Sequence, residues 1–217
     1  NAVFANNMPK AVGRSCLTPL IGVNGGIAGD FTVTRMGEDE FWIIGSGMAE
    51  RYHQRFWKMV PMDADVMFES MTDAWCGFNI AGPLARKALQ TLTNTSLETA
   101  DFPFMRSKWL DIAGVKCLSL RVSFTGDLGW EIHCKEGDQA AVYKALLDAV
   151  AGEGGGPVGS RALMSLRVEK GYGSWGREYS PEYWPQEVGL DRLIKIEKEF
   201  LNKNSYLKVK DNPSREV

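Results

Sequence analysis

The sequence predicts an α+β fold with mainly antiparallel sheets, and three observations carry that expectation. Phe31-Thr32-Val33-Thr34-Arg35-Met36 alternates apolar and polar residues with the period of two of a half-buried strand. Gln139 to Val150 instead places Val142, Ala145, Leu146, Ala149 and Val150 at helical spacing, as an amphipathic helix does. Finally, strand-like and helix-like stretches do not alternate regularly, which argues against a doubly wound parallel sheet.

The elements follow in chain order. After the 31–36 strand, Gly37-Glu38-Asp39-Glu40 supplies a turn and Phe41-Trp42-Ile43-Ile44 a second strand, completing a hairpin. Met48 to Met59 reads as a helix of mixed charge, and Asp65 to Ser70 as a further strand. Pro83 suits a first helical turn, where its missing N–H costs nothing, so a helix is expected from Leu84, with Leu84, Ala88, Leu89 and Leu92 on one face. Strands are expected at Lys116 to Ser123 and Gly129 to Cys134, separated by the turn Thr125-Gly126-Asp127-Leu128-Gly129. Glycines 154, 155, 156 and 159 mark a loop, after which Ser160 caps a helix starting at Arg161. A last strand is expected near Leu190 to Ile196, and no internal repeat is visible.

Composition narrows the function classes. Of 217 residues, 44% are hydrophobic and 24% charged, which fits a folded globular chain. A formal net charge of -2 gives no reason to expect nucleic acid, whose binding surfaces usually show a basic excess or stripe. The apolar runs are short and interrupted, so no membrane span is expected, and no secretory signal opens the chain. Cys16, Cys76, Cys117 and Cys134 form no C-x-x-C pair and only His53 and His133 accompany them, so reduced thiols and no metal site are expected. The first residue is Asn, and Val3-Phe4 reads as the tail of an earlier element, so the chain is expected to be a piece of a longer one.

Several motifs are weighed against plain structural roles. Gly171-Tyr172-Gly173-Ser174-Trp175-Gly176 matches G-x-G-x-x-G, but it follows a helix and runs toward Pro181 and Pro185. A dinucleotide site needs that motif between a strand and a helix N-terminus, so it is rejected. The loop at 154–159 lacks the ending of a phosphate loop. Gly25-Gly26-Ile27-Ala28-Gly29-Asp30 lets backbone approach a ligand closely with Asp30 at the mouth of a strand, although an aspartate there also satisfies turn amides. In Gly129-Trp130-Glu131-Ile132, Trp130 and Glu131 point to opposite faces. A half-buried Glu131 needs donors and suits an amidine-like edge; at a sheet edge it is simply solvated. Arg167 and Lys170 read equally well as ordinary helix-surface charges.

Together these stretches resemble one family. The runs Gly13-Arg14, Leu17-Thr18-Pro19-Leu20 and Gly25-Gly26-Ile27 through Gly29-Asp30-Phe31-Thr32-Val33-Thr34-Arg35 resemble the opening of the folate domain of the glycine cleavage T-protein (aminomethyltransferase) family. Ala81 to Arg86, Val122 to Ile132, Leu166 to Gly171, Ser174 to Glu178 and Glu187 to Asp191 continue the likeness in the same order. It is closest to the branch fused to FAD-dependent dimethylglycine and sarcosine dehydrogenases. The Ser174 to Glu178 run and Gly189-Leu190-Asp191-Arg192 favour that branch over glycine cleavage or demethylation of dimethylsulfoniopropionate.

The resemblance implies two related α/β halves around a central folate pocket. It implies an aminomethyltransferase-like domain over residues 1–200, whose N-terminal part is not included, with 201–217 beginning a linker or C-terminal β-barrel domain. Asp30 would face the reactive end of tetrahydrofolate. Glu131 would hold the amino-pyrimidine edge, and Arg167 would donate to the pterin. Phe124 stands where many T-proteins carry tyrosine, so a hydroxyl contact is lost there. Trp130, Tyr172 and Trp175 supply flat apolar walls or core packing. The implied chemistry captures an iminium or formaldehyde, derived from a methylated amine by an FAD-dependent oxidoreductase domain, as 5,10-methylenetetrahydrofolate. FAD would belong to that other domain alone. The implied location is the cytoplasm, or the mitochondrial matrix in a eukaryote. A rival reading is a folate-binding module without catalysis.

Overall fold

Residues 1–60 and 66–212 are described by a computed structural model, in which the chain divides into two units. The first comprises Asn1–Phe68 and Gly173–Val217, the second Glu69–Tyr172. Each holds an antiparallel sheet, as the sequence predicts.

In the first unit, β1 (Ser15–Ile21), β2 (Ile27–Arg35) and β3 (Phe41–Ile44) form a sheet in the order β1-β2-β3. The β1–β2 hairpin turns at Gly22 to Gly26, where the Gly22 amide donates to the Gly26 carbonyl at 2.8 Å. Glycine is required there by close approach: a Cβ on Gly26 would lie 2.5 Å from the Pro181 carbonyl oxygen. Phe31 and Val33 alternate inward from β2 and meet Phe4, Leu20, Phe56 and Trp57. Each such side chain contributes about 1.5–3 kcal/mol through burial. Phe56 and Trp57 come from α1 (Glu50–Trp57), whose Tyr52 and His53 lie one turn earlier on the same side. A smaller cluster joins Ala5, Ile21, Ile194, Phe200 and Tyr206, the last from α5 (Lys203–Val209).

In the second unit, β4 (Trp75–Ala81), β5 (Ser107–Ile112), β6 (Val115–Leu120) and β7 (Gly129–Lys135) pair in the order β4-β7-β6-β5. Ile80, Leu110, Ile112, Trp130 and Ile132 build its core with Leu89 of α2 (Ala85–Gln90) and Val142 and Leu146 of α3 (Gln139–Gly152). The helix α4 (Ser160–Glu169) completes the unit.

Three expectations need correction. Val66 to Ser70 forms no strand and its apolar residues are exposed, while Asp65 lies outside the described residues. Leu190 to Ile196 contains a short 3-10 turn, Asp191–Leu193, because the Leu190 amide is drawn back to the Pro185 carbonyl at 2.8 Å. Ser160 is the first residue of α4 rather than its cap; Gly159 holds the cap position, without a side-chain bond. Among the described residues, no helix is long and apolar enough to cross a membrane.

Candidate functional site

Asp30 and Trp175 fall in the first unit, whereas Phe124, Trp130, Glu131, Arg167 and Tyr172 fall in the second. Asp30 lies within β2, opposite Pro19, rather than at the strand's mouth. Its half-buried carboxyl is pushed up to about 6 by burial, against the pull of its own amide N–H. A carboxyl in that range can both release and accept a proton near neutral pH. Tyr179, which the sequence reading missed, lies close enough to feel that charge. Burial raises its phenol first, the Gly173 N–H donated to its oxygen lowers it, and Asp30 raises it again. Gly173 is needed because the Tyr179 ring occupies the space where a Cβ would stand.

Trp175 packs edge-on against His53, with ring centroids 4.7 Å apart, and Phe31 meets the same imidazole at 4.7 Å. His53 is buried, its Nε2 has no hydrogen-bond partner among the described residues, and burial lowers it to about 4. A neutral imidazole in an aromatic wall therefore stands behind the strand that carries Asp30. Sequence reasoning weighed His53 as a metal ligand and missed this setting.

In the second unit, β7 divides its side chains between two faces. Trp130 is wholly buried against Phe102, with centroids 6.3 Å apart, and so fills the core rather than lining the face of Glu131. Glu131 and His133 share the opposite face by the two-residue period, with Nε2 of His133 3.6 Å from Oε2 of Glu131. Their side chains are 22% and 15% exposed, so the pair is screened only partly by solvent. Among the described residues no donor reaches the Glu131 carboxylate within hydrogen-bonding distance. Gly77, directly across on β4, makes room for the histidine: a Cβ there would lie 3.1 Å from Nδ1. The i, i+2 spacing is the signal in the sequence that identifies His133 as the companion of Glu131.

Arg167 is buried near the end of α4 and donates from Nη1 to the Tyr172 carbonyl at 2.9 Å. The Tyr172 amide in turn donates to the Arg167 carbonyl at 2.9 Å, which closes the helix end. Tyr172 thus meets Arg167 through its backbone, and its side chain is exposed. Phe124 sits half-buried in the turn before β7, where Ser123 Oγ and Thr125 Oγ1 are 2.9 Å apart. Gly126 in that turn has φ +73 and lies against Lys170, the C-cap of α4, where a Cβ would stand 2.5 Å from Lys170 Cγ. The Phe124 turn and the helix carrying Arg167 are therefore brought together. Among the described residues, no group of three His, Cys, Asp or Glu side chains is arranged to hold a metal ion.

The family model described as "GCVT N-terminal domain" matches residues 1–198. The chain is 32% identical over 212 residues to the mitochondrial dimethylglycine dehydrogenase of Mus musculus, covering 96% of this chain and 24% of that protein. It is also 32% identical over 201 residues to the aminomethyltransferase of Natranaerobius thermophilus, covering 92% of this chain and 54% of the relative. Among solved structures, the glycine cleavage system aminomethyltransferase T from Bartonella henselae matches 94% of this chain and 54% of its own, with a TM-score of 0.74 at 21% identity. The heterotetrameric sarcosine oxidase from Corynebacterium sp. U-96 matches 71% and 72%, with a TM-score of 0.51 at 20% identity. At such identities these structures speak for the fold. The chain spans about a quarter of the dehydrogenase and about half of the transferase.

Proposed function

Because the chain belongs to the GCVT N-terminal domain family, we propose that it is a tetrahydrofolate-dependent one-carbon transfer module of a dimethylglycine or sarcosine dehydrogenase-like enzyme. The observation that carries the reading is the half-buried Glu131 carboxylate, held on a sheet face with no hydrogen-bond donor among the described residues. A partly desolvated carboxylate in that state calls for donors. The amino-pyrimidine edge of a pterin offers two parallel N–H groups, which a carboxylate accepts side by side.

When bound, tetrahydrofolate supplies a nucleophilic nitrogen and carries the carbon away as 5,10-methylenetetrahydrofolate. Glu131 would orient the pterin edge, with His133 beside it on the same face of β7. Arg167, fixed to the helix end through Tyr172, donates to the pterin region, and Phe124 offers an apolar contact. In the first unit, Asp30, with its raised carboxyl, would be suited to take up a proton or to face a developing positive charge. Trp175 and His53 exclude water behind it. The substrate is an iminium or formaldehyde derived from a methylated amine, delivered by an FAD-dependent oxidoreductase domain. The dehydrogenase relative, of which this chain covers 24%, supports that partner. The equal identity to an aminomethyltransferase keeps a second donor in view, an aminomethyl group rather than free formaldehyde or an iminium.

Calorimetric titration with tetrahydrofolate tests the reading. Saturable binding is expected, and Glu131→Ala should weaken it by about 2 kcal/mol, roughly 30-fold, since pterin donors lose a charged acceptor. Unchanged affinity in that variant removes the pterin role of Glu131. Acceleration of methylenetetrahydrofolate formation from formaldehyde, lost in Asp30→Ala, separates catalysis from binding alone.

A further inference from the structure

The core face of the second sheet carries a chemical group that one-carbon transfer does not use. Cys76 on β4 and Cys134 on β7 are direct cross-strand partners, and their sulfurs are 3.2 Å apart as free thiols. The Glu136 amide donates to Ala74 at one end of this ladder, and the Gly82 amide donates to Leu128 at the other. Counting inward by alternate rungs makes Cys76 and Cys134 a hydrogen-bonded pair, whose Cα atoms stand about 5.5 Å apart in an antiparallel ladder. That spacing is inside the range a disulfide spans. The sulfurs need to approach by roughly 1 Å, which side-chain rotation supplies without moving either strand.

We propose that Cys76 and Cys134 are a redox-active dithiol that closes to an intrachain disulfide when a hydroperoxide oxidises it. The two sulfurs are not equivalent, and this sets the order of events. Cys76 is half-buried on the edge strand β4, so the oxidant reaches it first; Cys134 is fully buried beneath. The Cys76 thiolate attacks the peroxide, breaking the O–O bond to give a Cys76 sulfenic acid and an alcohol (water from hydrogen peroxide). The Cys134 thiol then displaces hydroxide from that sulfur, forming the S–S bond and releasing water. Two thiols lose two electrons, and the peroxide gains them. Burial pushes Cys134 up to about 12 and Cys117 up to about 11, so neither competes with Cys76 for the first step. The product ties the edge strand to β7 one residue from the Gly77–His133 pair.

The reduced chain is treated with hydrogen peroxide, unfolded, blocked with N-ethylmaleimide and mapped by mass spectrometry without reductant. The expected result is loss of two of the four thiols and a peptide linking positions 76 and 134, both reversed by dithiothreitol. In Cys134→Ser the sulfenic acid should persist at Cys76 and be trapped by dimedone, whereas Cys117→Ser should leave the cross-link intact. Retention of all four thiols overturns the proposal, as does a cross-link involving Cys117 or a second chain, or over-oxidation of Cys76 while Cys134 stays reduced. Because the readout is a covalent map, it stands or falls independently of folate binding.

Discussion

Asp30→Asn should make the protein more stable at neutral pH while removing the catalytic contribution proposed for Asp30. The replacement keeps the shape of the side chain and removes the charge. Asp30 is raised from 3.8 to about 6 by burial, so the folded state prefers the protonated carboxyl and the unfolded chain the ionised one. Between those values the unfolded chain binds fewer protons, so stability falls as pH rises through this window. A difference of about 2 pH units at 1.36 kcal/mol each comes to about 3 kcal/mol, fully felt above pH 6 and absent below about pH 4. Asparagine carries no such penalty. Urea unfolding of both proteins from pH 4 to 7.5 reads the difference directly: the curves should coincide at the acid end and separate by up to about 3 kcal/mol at neutrality, the variant being the more stable. Parallel curves, or an asparagine protein less stable at pH 7, would refute the view that Asp30 is held ionised at a cost to folding.

Other substitutions probe the surroundings. His53 is lowered from 6.5 to about 4 by burial, so stability is present above pH 6.5 and lost as pH falls toward 4; His53→Leu should flatten that acid limb, and a persisting slope would place its origin elsewhere. Gly126→Ala meets both a left-handed φ of +73 and the Lys170 side chain, so a loss of about 1–3 kcal/mol is expected, with weaker folate binding as the Phe124 turn parts from α4. An unchanged melting temperature would show that the turn yields freely. Lys198 donates from Nζ to the carbonyl of Asn1, its side-chain oxygen, and the carbonyls of Phe4 and Asn6, at 2.7 to 3.0 Å. Lys198→Met leaves those acceptors without the cation and should cost about 2–3 kcal/mol, seen as a lower thermal midpoint; an unaltered midpoint would mean water replaces the amine.

What the sequence revealed follows from which residues obey a simple period. The β2–β3 hairpin and α3 were readable because one face of each is apolar at regular spacing. β1 was not, because Pro19 reads as a strand breaker. In the structure its carbonyl accepts from the Ala5 amide, on the side away from β2, so the missing N–H breaks no rung of the ladder. β4 was missed because Gly77 interrupts its pattern, for the clearance His133 requires. Leu190 to Ile196 misled because apolar spacing does not reveal that Leu190 and Lys195 are tied back to Pro185 and Ala5. At the site, Glu131 and His133 were within reach of the period-two rule. His53 and Tyr179 were not, since each acquires its setting from residues far away in sequence.

Some polar groups of this chain are satisfied by the fold and others are not. Lys198 is half-buried and charged, yet surrounded by acceptors, so its environment is complete and its role is to hold the chain together. Among the described residues, Asp30, Glu131, His53 and His133 are the reverse: an acid whose donor is its own amide, an acid with no hydrogen-bond donor, and two imidazoles whose Nε2 makes no hydrogen bond. Each such group costs stability that another residue would recover if packing were the only demand. Two of them adjoin the glycine-rich stretch of the first unit, and two lie side by side on β7 of the second. Within the second unit, the Glu131–His133 pair would be completed by a ligand bearing N–H donors, as the proposed folate role requires. Within the first unit, the raised carboxyl of Asp30 suits a group with a proton to lose, which is the part proposed for it above.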